Sequence, residues 1–190
     1  MRVYGHSGVS SCDDPEMKQL VLGGVRSGKS RYAEQQARAS GLQVVYIATS
    51  IPSEDPELKE RVRRHRAHRP ADWLTVEEPA VLGAVLRAHA GAERCLLVEC
   101  LTLWLAHLLT SGSAERLDSE RASLLRAVTE IPGHVILVSN ETGLGIVPTG
   151  ELSRRFLDVA GELHQSLAAS CDRVTFVVAG LPQRLKDVPP

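Results

Sequence analysis

A short apolar run, LVL at 20 to 22, leads straight into GGVRSGKS, Gly23 to Ser30, and that stretch opens a helical pattern over 28 to 40. The spacing G-x-x-x-x-G-K-S at a strand-to-helix junction is that of a phosphate-binding loop. Gly23 and Gly28 let the backbone curl, so that the amides of Gly24, Val25, Arg26 and Ser27 and the helix N-terminus face a polyphosphate. Lys29 is expected to reach the β and γ phosphates, and the Ser30 hydroxyl to ligate Mg²⁺.

Four more apolar runs follow: VVYIA (44 to 48), CLLVE (95 to 99), VILVS (135 to 139) and VTFVVA (174 to 179). Each is continuous rather than alternating, as in strands covered on both faces. Helical patterns near 54 to 66, 79 to 90, 100 to 110, 114 to 130 and 150 to 169 separate them, the last with Leu152, Phe156, Val159, Leu163 and Leu167 at three-to-four spacing. This alternation predicts an α/β domain whose mostly parallel sheet is flanked by helices. Residues 1 to 16 lack apolar periodicity and predict a disordered N-terminal extension, leaving 17 to 190 as a single domain. Met17, which opens a strand directly, is a candidate natural start.

A net charge of -1 gives no global attraction to nucleic acid or to an anionic membrane. No apolar run approaches the roughly 18 residues of a membrane span, and the first 20 residues lack a signal-peptide centre, so a cytoplasmic location is expected. Cys12, Cys95, Cys100 and Cys171 form no C-x-x-C pair and read as reduced thiols.

A phosphate loop also needs a carboxylate near the metal at the end of another strand. CLLVE ends at Glu99, which is either that carboxylate or an ordinary strand-end acid in solvent. RVRRHRAHRP, 61 to 70, concentrates five arginines and two histidines. On a helix over 54 to 66, His65 shares a face with Arg61 beside the Leu58/Val62 stripe, partly desolvated and surrounded by guanidinium groups. Both conditions keep imidazole neutral, which suits a nucleophile toward a bound phosphate. A solvated basic helix face is the competing reading. A metal site lacks a third ligand near His65 and His68, and nucleic acid is disfavoured because aromatic residues are only 4% of the chain.

The joint pattern GGVRSGKSRYAE, VVYIATS, RVRRHRAHRPADWLTVEEP, LLVECLTLWLAHLL, VILVSNETGLGIVP and ELSRRFLDVAGELHQSLAASCDRVTFVVAGLP resembles the bifunctional adenosylcobinamide kinase/adenosylcobinamide-phosphate guanylyltransferases, over about residues 18 to 182. The resemblance implies a RecA-like P-loop sheet, a GMP-histidine intermediate on His65 rather than His68, and a homotrimer. It implies nucleotide contact from Thr49, Ser50, Ile51, Arg66, Ala67, His68 and Arg69, and from the acids Glu77 and Glu99. It implies adenosylcobinamide, its phosphate, ATP and GTP as substrates, while the loop motif and the strand-end acid place Mg²⁺ on Ser30 and Glu99. Thr142 departs from the family pattern, which has an apolar residue there. Asn140 and Glu141, in the glycine-bearing loop SNETGLGIVP, either touch substrate or hold the turn. Trp73 and Trp104 read as packing anchors. The rival functions are a P-loop small-molecule kinase without guanylyl transfer and a non-enzymatic nucleotide-dependent regulatory module.

Overall fold

A computed structural model describes residues 16–50, 60 and 70–188. All five expected strands form: β1 (Lys18–Gly23), β2 (Gln43–Ala48), β4 (Arg94–Glu99), β5 (His134–Asn140) and β6 (Arg173–Val178). Two others, β3 (Leu74–Glu77) and β7 (Leu181–Asp187), were not expected. The sheet runs β3-β2-β4-β5-β1-β6-β7, parallel throughout except for the antiparallel β6/β7 pair. The helices are α1 (Lys29–Ala39), α2 (Leu82–His89), α3 (Leu101–Ser111), α4 (Ala114–Glu130) and α5 (Glu151–Ser170). The expected helix over 54 to 66 lies, apart from Glu60, outside the described residues, as do residues 1 to 15.

Side chains on a strand alternate between faces, and the central strands carry apolar residues on both. Leu20, Leu22, Val45, Ile47, Leu96, Val98, Val135 and Leu137 enter one core layer beneath α2 to α5. Val21, Val44, Tyr46, Leu97, Ile136 and Val138 enter the other, where Ala33 and Ala37 bring α1 close to the sheet. Each fully buried Leu or Ile contributes about 1.5–3 kcal/mol.

Both tryptophans are packing anchors. Trp104 is fully buried on α3, and its Nε1 donates to the Ala80 carbonyl at 2.6 Å. Trp73 stacks on Tyr46 with ring centroids 6.4 Å apart, and the Arg38 guanidinium lies 5.6 Å from its ring centroid. At the opposite end of the sheet from the phosphate loop, the buried Lys18 amine donates to the carbonyls of Ile131 and Gly133, and desolvation lowers its pKa.

The β6/β7 turn is the two-residue hairpin Ala179-Gly180, with φ of 51° and 79°. Two consecutive positive φ values mark a type I′ turn, which matches strand twist. Its tip is docked rather than free: the Gly180 amide donates to the Ser27 carbonyl at 2.8 Å. A Cβ on Gly28 would lie 3.1 Å from the Gly180 Cα.

Candidate active site

The parallel strands deliver their carboxyl ends to one edge. Register pairs Gly23 with Asn140, and Ala48 with both Glu77 and Glu99. Gly23 must be glycine, because a Cβ there would meet the Val177 carbonyl at 2.6 Å and the Ser27 hydroxyl at 2.5 Å. Within the loop, the Ser27 amide donates to the Gly24 carbonyl at 3.2 Å, and Arg26 takes a φ of 57°. Gly28, at φ 93°, is the N-cap of α1, and no side chain caps that helix. The first amides of α1 are therefore left for a ligand, as a polyphosphate site requires.

The Lys29 side chain is buried, and its Nζ donates to the Gly24 carbonyl at 3.2 Å, folded back over the loop. Beside it the Ser30 hydroxyl donates to Glu99 Oε1. Glu99 is thus the carboxylate that meets the loop, rather than a strand-end acid in open solvent. A hydroxyl and a carboxylate in contact are hard oxygen donors suited to Mg²⁺. Among the described residues no cluster of three or more His, Cys, Asp or Glu could hold a metal. An ion at Ser30 and Glu99 would complete its shell with phosphate oxygens and water, as Mg²⁺ commonly does.

Thr49 is fully buried and laces β2 to the end of β4. Its hydroxyl donates to the Cys100 carbonyl at 2.7 Å and accepts from the Cys100 amide at 2.8 Å. Its amide donates to the Glu99 carbonyl at 3.1 Å. Thr49 therefore positions Glu99, and the half-buried Ser50 follows it at the edge. Glu77 ends β3 with its side chain exposed. Cys100 is buried, and desolvation, then the Glu99 charge, raise its thiol pKa; burial pushes Cys95 and Cys171 up to about 12. These are not thiolate nucleophiles.

Ile51, His65, Arg66, Ala67, His68 and Arg69 lie outside the described residues. β2 ends at Ala48, the chain is described to Ser50, and beyond the single residue Glu60 it is described again from Pro70, whose carbonyl accepts from the Trp73 amide at 3.2 Å.

On the other side of the loop, the Glu141 amide donates to the Gly23 carbonyl at 3.0 Å. The Asn140 amide donates to Thr102 Oγ1 at 2.8 Å, in the first turn of α3. Asn140 Oδ1 and Ser27 Oγ are buried without a hydrogen-bond partner, and both flank Gly23. Sequence reasoning did not find His164 of α5. It is buried, its Nε2 lies 2.8 Å from Ser139 Oγ, and its Nδ1 lies 3.7 Å from Glu141 Oε2. Desolvation lowers its pKa, opposed by the Glu141 carboxylate, so the ring is neutral near pH 7.

The strand order, the loop at β1/α1 and the Ser30/Glu99 contact define a RecA-like P-loop nucleotide-binding protein. The fold is similar to that of the flagellar accessory protein FlaH from Methanocaldococcus jannaschii, with a TM-score of 0.52, 13% identity, and coverage of 90% of this chain and 79% of that one. Residues 19–185 match the family model described as cobinamide kinase / cobinamide phosphate guanyltransferase, and the chain belongs to that family. It is 60% identical over 173 residues to the bifunctional adenosylcobalamin biosynthesis protein CobP of Pseudomonas aeruginosa, covering 91% of this chain and 99% of the relative. It is 38% identical over 183 residues to the corresponding CobU of Escherichia coli, covering 90% of this chain and 100% of that relative.

Proposed function

We propose that the protein phosphorylates the aminopropanol hydroxyl of adenosylcobinamide with ATP or GTP, then transfers GMP from GTP onto that phosphate to give adenosyl-GDP-cobinamide. The observation that carries this reading is the Ser30 hydroxyl on the Glu99 carboxylate at the mouth of Gly23 to Ser30, in a chain of this family. A bound Mg²⁺, held by Ser30 and Glu99, would neutralise charge on the transferred phosphoryl group. The amides of Gly24 to Ser27 and the start of α1 cradle the phosphates. Lys29 turns from the Gly24 carbonyl to the γ phosphate, and Arg26 assists. Thr49 fixes Glu99 from behind, with Ser50 and Glu77 at the nucleotide edge.

In the second reaction the neutral imidazole of His65 attacks the α-phosphorus of GTP. The N–P bond forms as the bond to pyrophosphate breaks, and the imidazole loses its ring proton. An oxygen of adenosylcobinamide phosphate then attacks the same phosphorus, the N–P bond breaks, and the imidazole is reprotonated. Arg66 and Arg69 hold phosphate oxygens in bidentate fashion, and Ile51, Ala67 and His68 line the nucleotide. Asn140 faces the acceptor, while Glu141, whose Oε1 accepts from the Gly143 amide at 2.6 Å, holds the turn.

No described helix is long and apolar enough to cross a membrane, which is compatible with the cytoplasmic homotrimer we propose, built from one domain over 17 to 190. The test is mass analysis of adenosylcobinamide incubated with the protein, Mg²⁺ and GTP. The mass must rise first by one phosphoryl group and then by one GMP. A product that stops at the phosphate identifies a kinase alone, and recovery of unchanged adenosylcobinamide removes the proposal.

A further inference from the structure

The loop from Glu141 to Gly150 leaves large apolar side chains in solvent: Ile146 is 97% exposed, Leu144 79% and Val147 70%. Together with α3 and the first turns of α5, this loop encloses a groove of about 440 Å³ lined by Leu109, Thr110, Thr142, Ile146, Leu152 and Phe156, among others. None of its lining residues is charged. Such a surface offers nothing to a nucleotide phosphate or a nucleic acid, but it suits a flat, largely apolar ring with uncharged amides at its rim. Leu109, Ile146, Leu152 and Phe156 would meet the ring, and the hydroxyls of Thr110 and Thr142 would meet the amides.

The Glu141–Gly150 loop that walls the groove is tied at its start to the phosphate loop. Thr142 lies on the groove wall one residue beyond Glu141, whose amide is bonded to the Gly23 carbonyl at 3.0 Å. On the reading that adenosylcobinamide is the substrate, we propose that this groove seats one edge of its corrin macrocycle, with the aminopropanol arm directed past Thr142 toward Lys29. The groove is smaller than the macrocycle, so the rest of the ring remains outside it.

Equilibrium dialysis of adenosylcobinamide against the full chain tests this, with the corrinoid's visible absorption as readout. The variants are Ile146→Asp and Leu152→Asp, whose side chains are 97% and 54% exposed and so lie outside the core. GTP affinity and sedimentation are measured on the same samples. Each variant is expected to weaken corrinoid binding by roughly tenfold or more, the scale of a lost apolar pocket contact, with GTP affinity and sedimentation unchanged. Unchanged corrinoid affinity in both variants overturns the assignment. A change in sedimentation at unchanged corrinoid affinity makes this face an interface between copies of the chain. If the wild-type protein binds GTP but no adenosylcobinamide, the substrate reading fails and takes the groove assignment with it.

Discussion

The Ser30 hydroxyl of the phosphate loop donates to the Glu99 carboxylate at the end of a strand two places away in the sheet. Glu99→Gln keeps the shape and removes the charge that would hold Mg²⁺. Phosphorylation of adenosylcobinamide should fall by about 10²-fold or more in kcat, the scale of losing one preorganised electrostatic group. Thermal stability should be retained. Steady-state kinetics at saturating ATP and Mg²⁺ measure this, and a wild-type kcat would exclude Glu99 from the metal site.

Gly23→Ala places a methyl group 2.6 Å from the Val177 carbonyl, which is backbone and cannot rotate away. The loop or β6 must shift, at a cost of about 1–3 kcal/mol in stability. Nucleotide affinity should weaken at the same time, because the shifted backbone carries the phosphate-binding amides. Denaturant unfolding and GTP titration of one sample check both effects.

Trp104→Phe removes the donor to the Ala80 carbonyl and leaves a gap in the layer beneath α3. A buried acceptor without its partner costs about 1–3 kcal/mol. Unfolding in urea should show this loss, while guanylylation at 25 °C persists.

His164 gives a pH signature. Its folded pKa lies below the ordinary 6.5, so the unfolded chain binds the proton more tightly. The stability it contributes is present above about pH 6.5 and is lost as the pH falls through the lowered folded value. His164→Gln, which can still hydrogen-bond Ser139, should lose less melting temperature than wild type as the pH falls below about 6.5. Parallel curves for the two proteins would show that His164 does not titrate between those states.

Five strands were legible because residues such as Val44 to Ala48 and Leu96 to Val98 are buried on both sheet faces and so form unbroken apolar runs. β3, LTVE, is mostly exposed, and the edge strand β7, LPQRLKD, carries Pro182 and almost no buried side chain. Backbone pairing alone makes these two strands, and pairing leaves no period in the side chains. The contact of Ser30 with Glu99 was readable because a phosphate loop calls for a carboxylate at the end of another strand, and CLLVE ends in one. The contacts of His164 with Ser139 and Glu141 were not, since its place in α5 resembles any other position on a buried helical stripe. The docking of Gly180 on Ser27 was hidden for a similar reason: Ala179-Gly180 signals a turn, but not where the turn lands.

The central claim is that His65 carries GMP. The most direct measurement incubates folded wild-type, His65→Ala and His68→Ala proteins with Mg²⁺ and GTP labelled at the α-phosphate, then quantifies acid-labile label bound to protein. The expected result is label on wild type and on His68→Ala, and none on His65→Ala. Label that survives in His65→Ala but disappears in His68→Ala would contradict it.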